Sequence, residues 1–596
     1  MATDVATDAA TELPAACDLV VVGSGCGALS SAVSAAHLGL DVVVLEKEPL
    51  FGGTTAWSGG WMFIPRNPLA RAAGIDEPID EPRRYLQAVC GPQFQAERIE
   101  AFLAHGPAAV QFHLDHTALR FVDGNAVPDF HGRAPAAREG GRSLCAAPFD
   151  GRTLGAHLAR LRPPCALWSF LGISIGGDLR HFLRAGRAWD SFVYVTKRVL
   201  RQGWDVIRHG RGTVRMAGNA LAAALFKSAL DAGVTLRESH AVVGLLRDGM
   251  RVSGVRVRGP DGTEREVRAR RGVVLACGGF PHDERRKAAL FPHAPTGREH
   301  WSAAPRSNTG DGLRLGESVG ARVDRALADA GAWAPVSLVP LRDGGVQAFP
   351  HLVERGKPGL IAVDRNGRRF VDEAGNYHGF MRALFERCGE RRPVEAWLIC
   401  DHRFQRRFGL GHAKPFPLPI GQALRSGYLK RADTLEALAA ACGIDPAGLA
   451  HTVATYNAHA RDGRDPEFDR GEIPYDRMQG DPEHAGPNPC VAPIERGPFY
   501  AVRVVPGSLG TFAGLEVDVH ARVLDAQGVP IEGLYAAGND MSSVMGGHYP
   551  SGGITLGPAL VFGHVLAHHA AGRPLAMPSM PASASSTEPA AHARAA

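Results

Sequence analysis

The stretch Asp18-Leu19-Val20-Val21-Val22-Gly23-Ser24-Gly25-Cys26-Gly27-Ala28 decides the fold. A short apolar run, a turn of alternating glycines and the small-residue segment Ala28–Leu38 spell strand, tight turn and helix. Asp41–Glu46 supplies a second, β-branched strand, so the whole is a βαβ unit with short connections. Gly23 permits the sharp turn, Gly25 lets backbone approach a pyrophosphate, and Ala28 stands where close helix–strand packing accepts Gly or Ala. The helix start presents unpaired N–H groups to phosphate oxygens. Glu46, ending the second strand, can accept hydrogen bonds from a ribose diol. The unit points to a dinucleotide, and by itself does not distinguish a flavin from a nicotinamide.

Further glycine-rich loops extend the pattern. Phe51-Gly52-Gly53-Thr54-Thr55 and Ser58-Gly59-Gly60 come close enough to wrap further round a pyrophosphate. Val274-Leu275-Ala276-Cys277-Gly278-Gly279 and Asn308-Thr309-Gly310-Asp311-Gly312 are two more loops of close backbone approach, and Gly533–Gly538 repeats the strand-then-glycine pattern near the C-terminus. Between them, from about His282 to Pro498, the texture changes to helical segments such as Thr434–Cys442, more Pro and irregular links. The expected fold class is α/β. A Rossmann-like domain is assembled from residues 17–283 and 498–572, with an α+β catalytic domain, 284–497, inserted between them. The Ala/Pro/Ser/Thr-rich ends, 1–16 and 573–596, read as disordered. Val234–Val257 alternates like a hairpin around Asp248-Gly249, and Leu158–Gly210 is amphipathic, a flap or cap.

Composition removes several classes. A net charge of +5 with dispersed Arg does not read as a nucleic-acid face. Ten scattered Cys without a C-x-x-C pair give no zinc ribbon, redox motif or haem attachment, and they fit reduced thiols. No metal site is expected. The first 17 residues lack the basic start of a secretory signal and no apolar run is long enough to span a membrane, so the expected location is cytoplasmic.

The N-terminal loop, A-C-G-G after a strand, N-T-G-D-G and Gly533-Leu-Tyr-Ala-Ala-Gly538 together resemble the fumarate reductase/3-ketosteroid dehydrogenase flavoprotein superfamily, over about residues 17–570. Gly547-His548-Tyr549-Pro550-Ser551-Gly552-Gly553-Ile554-Thr555-Leu556-Gly557-Pro558-Ala559 and Arg369-Phe370-Val371-Asp372-Glu373-Ala374-Gly375-Asn376-Tyr377 look most like its 3-ketosteroid dehydrogenases. The dicarboxylate branch clamps its substrate with an Arg, and Gly538–Leu560 contains none. The resemblance implies FAD, bound non-covalently because no His follows Gly53. It implies a cofactor set of Gly23, Gly25, Gly27, Ala28, Glu46, Lys47, Gly52, Gly53, Thr54, Thr55, Ser58, Gly59, Gly60, Val242, Ala276, Gly278, Asn308, Gly310, Asp311, Gly538, Asn539, Gly553, Thr555 and Leu556.

The chemistry implied is desaturation next to the ketone of a 3-ketosteroid or similar hydrophobic cyclic ketone, Δ1 favoured and Δ4(5α) an alternative. Tyr549 and the Gly553 N–H would polarise the carbonyl, Tyr377 would take the α-proton, and flavin N5 the hydride. Relatives acting at Δ1 assist that base with a second Tyr, where this chain has Phe130 within Pro128–Gly132; either His131 substitutes or the acceptor differs. Ser551 resembles the Δ4(5α) pattern. Asp401-His402 reads as structural. A second reading is a flavin-dependent enoate or fumarate-reductase-like enzyme with a non-steroid substrate. The electron acceptor is not specified by the sequence.

Overall fold

The structure is a computed structural model that describes residues 13–576. The strand read first runs Ala16–Val22 and sits in the middle of a sheet, parallel to Val42–Leu45 on one side and to Glu264–Leu275 on the other. Its apolar run is buried because helices cover both faces of an inner parallel strand. Across the sheet the order is Arg522–Leu524, Pro530–Ala536, Glu264–Leu275, Ala16–Val22, Val42–Leu45, Thr235–Arg237, with only Arg522–Leu524 antiparallel. Strands from the two ends of the chain therefore lie side by side. Helix Cys26–His37 is buried almost throughout, which its Ala, Ser and Gly permit, and packs against helices Ala217–Asp231 and Leu556–Ala570. A Cβ on Gly563 would sit 2.8 Å from the Gly27 carbonyl oxygen, so these two helices cross closer than any side chain allows.

A second sheet carries the middle of the chain in the order Val346–Pro350, Gly331–Pro340, Phe499–Thr511, Ala396–Cys400, Leu360–Val363. Phe499–Thr511 is long enough to pair also with Trp301–Ser302 and Leu429–Ala432. It lies beyond the boundary expected at 497/498, so the return to the first sheet comes only at Arg522. Two smaller readings shift likewise. Thr235–Arg237 is a parallel strand on Val42–Leu45, and the hairpin is Ala241–Asp248 with Arg251–Arg258. Ala16 already pairs with Arg268; the rest of the expected disorder at both ends falls mainly on residues 1–12 and 577–596, outside the described residues.

The amphipathic stretch becomes a helical cap: Leu179–Arg184 and then Trp189–His209, which is seated by an Arg198–Asp178 ion pair of 2.7 Å. Among the described residues no helix is long and apolar enough to cross a membrane.

Candidate active site

A cavity of about 1340 Å³ is lined by loops of the first sheet, by the second sheet and by the cap. That exceeds the volume a single drug-sized ligand fills and suits a dinucleotide with a substrate beside it. Gly23 has φ +106°, and a Cβ there would meet the Ala276 carbonyl oxygen at 2.2 Å; only glycine lets the first turn cross the A-C-G-G strand. Gly25 and Gly53 face each other bare, with 3.9 Å between a Cβ built on Gly53 and the Gly25 Cα. The Cys26 N–H is held by the Thr55 hydroxyl at 2.9 Å, which joins the two loops.

Glu46 is buried. Burial pushes its carboxyl up, against hydrogen bonds from the Ser24 hydroxyl at 2.6 Å and the Glu48 N–H at 2.9 Å. Lys47 reaches Asp311 at 2.5 Å, and Asn308 donates to Thr54 Oγ1 at 2.9 Å and to the Gly278 carbonyl at 3.1 Å. Asp540, which the sequence reading missed, ties the loops together: its carboxylate accepts the Cys277 N–H at 2.5 Å and the Gly279 N–H at 3.0 Å.

Across the cavity stands an aromatic group. Tyr377 is the first residue of helix Tyr377–Cys388, which the Asn376 side chain caps. The segment before it is locked by buried charge. Arg369 donates to Glu373 and to Asp465 at 2.7 Å, and Arg470 donates to Glu373 at 3.1 Å. The rings of Tyr377 and Tyr549 meet edge to face, 4.9 Å between centroids. Burial pushes the Tyr549 hydroxyl up to about 12, Tyr377 easing it down, and raises Tyr377 well above an ordinary phenol. Gly553, at φ +96°, packs on Trp61, where a Cβ would lie 2.5 Å from the backbone. Its carbonyl accepts the Phe63 N–H at 3.1 Å and the Gly557 N–H at 2.9 Å, which orients the loop.

Phe130 stacks on Tyr549 at 5.6 Å and meets Tyr377 edge-on at 5.5 Å. His131, the other candidate to assist the base, turns its Nε2 to the Tyr549 carbonyl at 3.2 Å. Tyr475, unforeseen in the sequence, is the phenol that joins this cluster, 4.4 Å from Phe130 between ring centroids and on the cavity wall.

The family model described as an FAD binding domain matches residues 18–556. The chain belongs to this FAD-binding family. It is an FAD-dependent oxidoreductase, and the bare glycine cradle joined to a cavity with room beyond the nucleotide fits that cofactor. The enzyme is 41% identical over 553 residues to the 4-oxocyclohex-2-ene-1-carboxylate 5-dehydrogenase of Sinomonas cyclohexanicum, covering 92% of each chain. It is 37% identical over 559 residues to the 3-oxosteroid 1-dehydrogenase of Mycolicibacterium smegmatis, covering 92% of this chain and 96% of that one. The 3-ketosteroid delta1-dehydrogenase of Sterolibacterium denitrificans, solved in complex with 1,4-androstadiene-3,17-dione, superposes with a TM-score of 0.86 at 37% identity, over 94% of this chain and all of that one.

The cavity of this FAD-binding enzyme gathers every residue expected to touch cofactor or substrate except Ala28, Gly52, Gly310 and Ser551. Ala28 is spent on helix packing, and Gly52 donates its N–H to Ser24. Gly310 donates to the Gly279 carbonyl as the cap of helix Asp311–Glu317. Ser551 is wholly buried, its hydroxyl without a hydrogen-bond partner. Asp401 caps helix His402–Phe408 and lies off the cavity. Among the described residues no group of three His, Cys, Asp or Glu could hold a metal, and all ten Cys are free.

Proposed function

We propose that this enzyme introduces a C=C bond next to the carbonyl of a hydrophobic cyclic ketone, a 3-ketosteroid first among them, with the Δ1 position favoured. The observation that carries the proposal is the meeting of Tyr377, Tyr549 and Gly553 in one buried corner of a cavity that is also lined by large apolar side chains of the cap. In this reading Tyr549, kept a neutral donor by burial, and the Gly553 N–H bind the ketone oxygen and hold the negative charge that develops there. Tyr377 takes the acidified α-proton. Dissociable FAD, when bound, supplies a two-electron acceptor for the hydride leaving the β-carbon. Trp168, Phe170, Phe182, Leu183 and Val195 of the cap, with Phe349 of the second sheet, give a multi-ring substrate apolar surface to bury. The Δ1 relatives at 37% identity support the ring position.

A second reading, a one-ring oxo-carboxylate, is favoured by the 41% identical relative and by Lys414, a cation on the cavity wall whose side-chain bond goes to the Leu167 carbonyl at 3.1 Å. Anaerobic titration with 3-ketosteroids and with 4-oxocyclohexane carboxylates separates the two. Bleaching of the flavin by steroids, with a 1,4-diene-3-one product, is the expected result. Bleaching only by the carboxylates would replace the steroid reading, and bleaching by neither would remove both.

A further inference from the structure

Helix Trp189–His209 turns its apolar face away from the protein. At about 100° per residue Trp189, Phe192, Leu200, Trp204 and Ile207 fall on one face, and they are 77%, 47%, 68%, 62% and 82% exposed. The helix is seated instead by its polar side. Ser191 is fully buried, Arg198 pairs with Asp178, and buried Asp205 accepts the Thr213 N–H and hydroxyl at 3.0 and 2.6 Å. A helix on a water-facing surface has the opposite arrangement.

Two further observations say what covers this face. Lys197, Arg201 and Arg208 are exposed and lie together along one flank of the stripe, and Asp190 in the first turn is the one exposed carboxylate of the helix. Phe192 and Leu200, together with exposed Leu171, also line the cavity, so the stripe runs into its mouth.

We propose that this face docks on the surface of an anionic phospholipid bilayer. The helix lies in the interfacial plane, with Trp189, Trp204 and Ile207 among the acyl chains and Lys197, Arg201 and Arg208 at the phosphates. Large aromatic and aliphatic side chains on one face with cations beside them are what such a surface binds. A second copy fits less well, because a two-fold contact through the stripe would bring equal cationic flanks together. Docking places the cavity mouth against the lipid, where apolar molecules dissolve. The docking rests on the helix and not on the identity of the substrate.

The test is co-sedimentation of the FAD-loaded protein, without substrate, with vesicles of phosphatidylcholine alone and with 30% phosphatidylglycerol. Binding to the anionic vesicles that weakens as salt is raised is the expected result. Lys197→Glu/Arg201→Glu should reduce that partitioning by at least about tenfold. The triple variant Trp189→Ser/Trp204→Ser/Ile207→Ser should abolish it while flavin absorbance and turnover of a water-soluble substrate persist, since these residues do not line the cavity. No binding of the wild-type protein to anionic vesicles in low salt overturns the proposal. So does a wild-type dimer, seen by sedimentation velocity, that the triple variant converts to monomer.

Discussion

Tyr549 and Tyr377 share one buried corner, but the proposed chemistry asks opposite things of them. A donor must keep its proton, and burial does that for Tyr549 by pushing its hydroxyl up to about 12. Tyr549→Phe should lower kcat/KM by roughly 10² to 10³, the cost of one donor to a developing oxyanion, with the flavin spectrum intact. A base must lose its proton, and burial works against Tyr377 in the same way. Below its raised value the phenolate fraction grows tenfold per pH unit, so kcat/KM should climb with pH across the alkaline range with a slope of about one. Tyr377→Phe should flatten that limb; an unchanged profile would place the base elsewhere. Both tyrosines were legible because each stands in a motif, H-Y-P-S-G-G and D-E-A-G-N-Y. Tyr475 was not, since it reaches Phe130 only through the fold and Pro474-Tyr475 carries no signal of its own.

The elements that hold these residues are secured differently. The segment leading to Tyr377 rests on Glu373, wholly buried, which accepts from Arg369, from Arg470 and from the Ala362 N–H at 2.9 Å. Burial alone would raise the Glu373 carboxyl, but the two guanidinium groups reverse this and hold it below its ordinary 4.5. A depressed folded value means that its contribution is present above 4.5 and is lost as pH falls through the folded value. Glu373→Gln should therefore cost about 3–5 kcal/mol at neutral pH, since it leaves the buried Arg470 guanidinium without its carboxylate partner. It should also flatten the acid side of a plot of Tm against pH, checked by thermal melts from acid to neutral. The motif could be read as a likeness, yet its physical task, anchoring the helix start at Tyr377, became visible only once Asp465 and Arg470 were brought to it from nearly a hundred residues away. The cap shows the same limit. Its amphipathic pattern was plain, but a stripe turned outward has the periodicity of a stripe turned inward.

At the scale of the whole molecule the cofactor site closes only when the two ends of the chain meet. Pro530–Ala536 lies beside Glu264–Leu275, and the loop after it brings Asp540 to the A-C-G-G turn. The glycine loops announced this union in the sequence, because four close-approach turns in one order have few other uses. Asp540 did not, since a lone carboxylate after a glycine carries no pattern. Without it the Gly279 N–H would be buried unpaired, at about 1–3 kcal/mol, and the half-buried Cys277 N–H would lose its partner. Asp540→Ala should lower Tm and weaken FAD binding together. Free FAD at 100 times the dissociation constant stabilises a folded protein by about 2.7 kcal/mol. If Asp540 joins the two chain segments, as its bonds imply, the variant should regain the melting temperature lost relative to wild type as FAD is raised in proportion to its weaker affinity, until only the unpaired N–H groups separate them. A Tm that falls while FAD affinity stays unchanged would instead confine Asp540 to local packing.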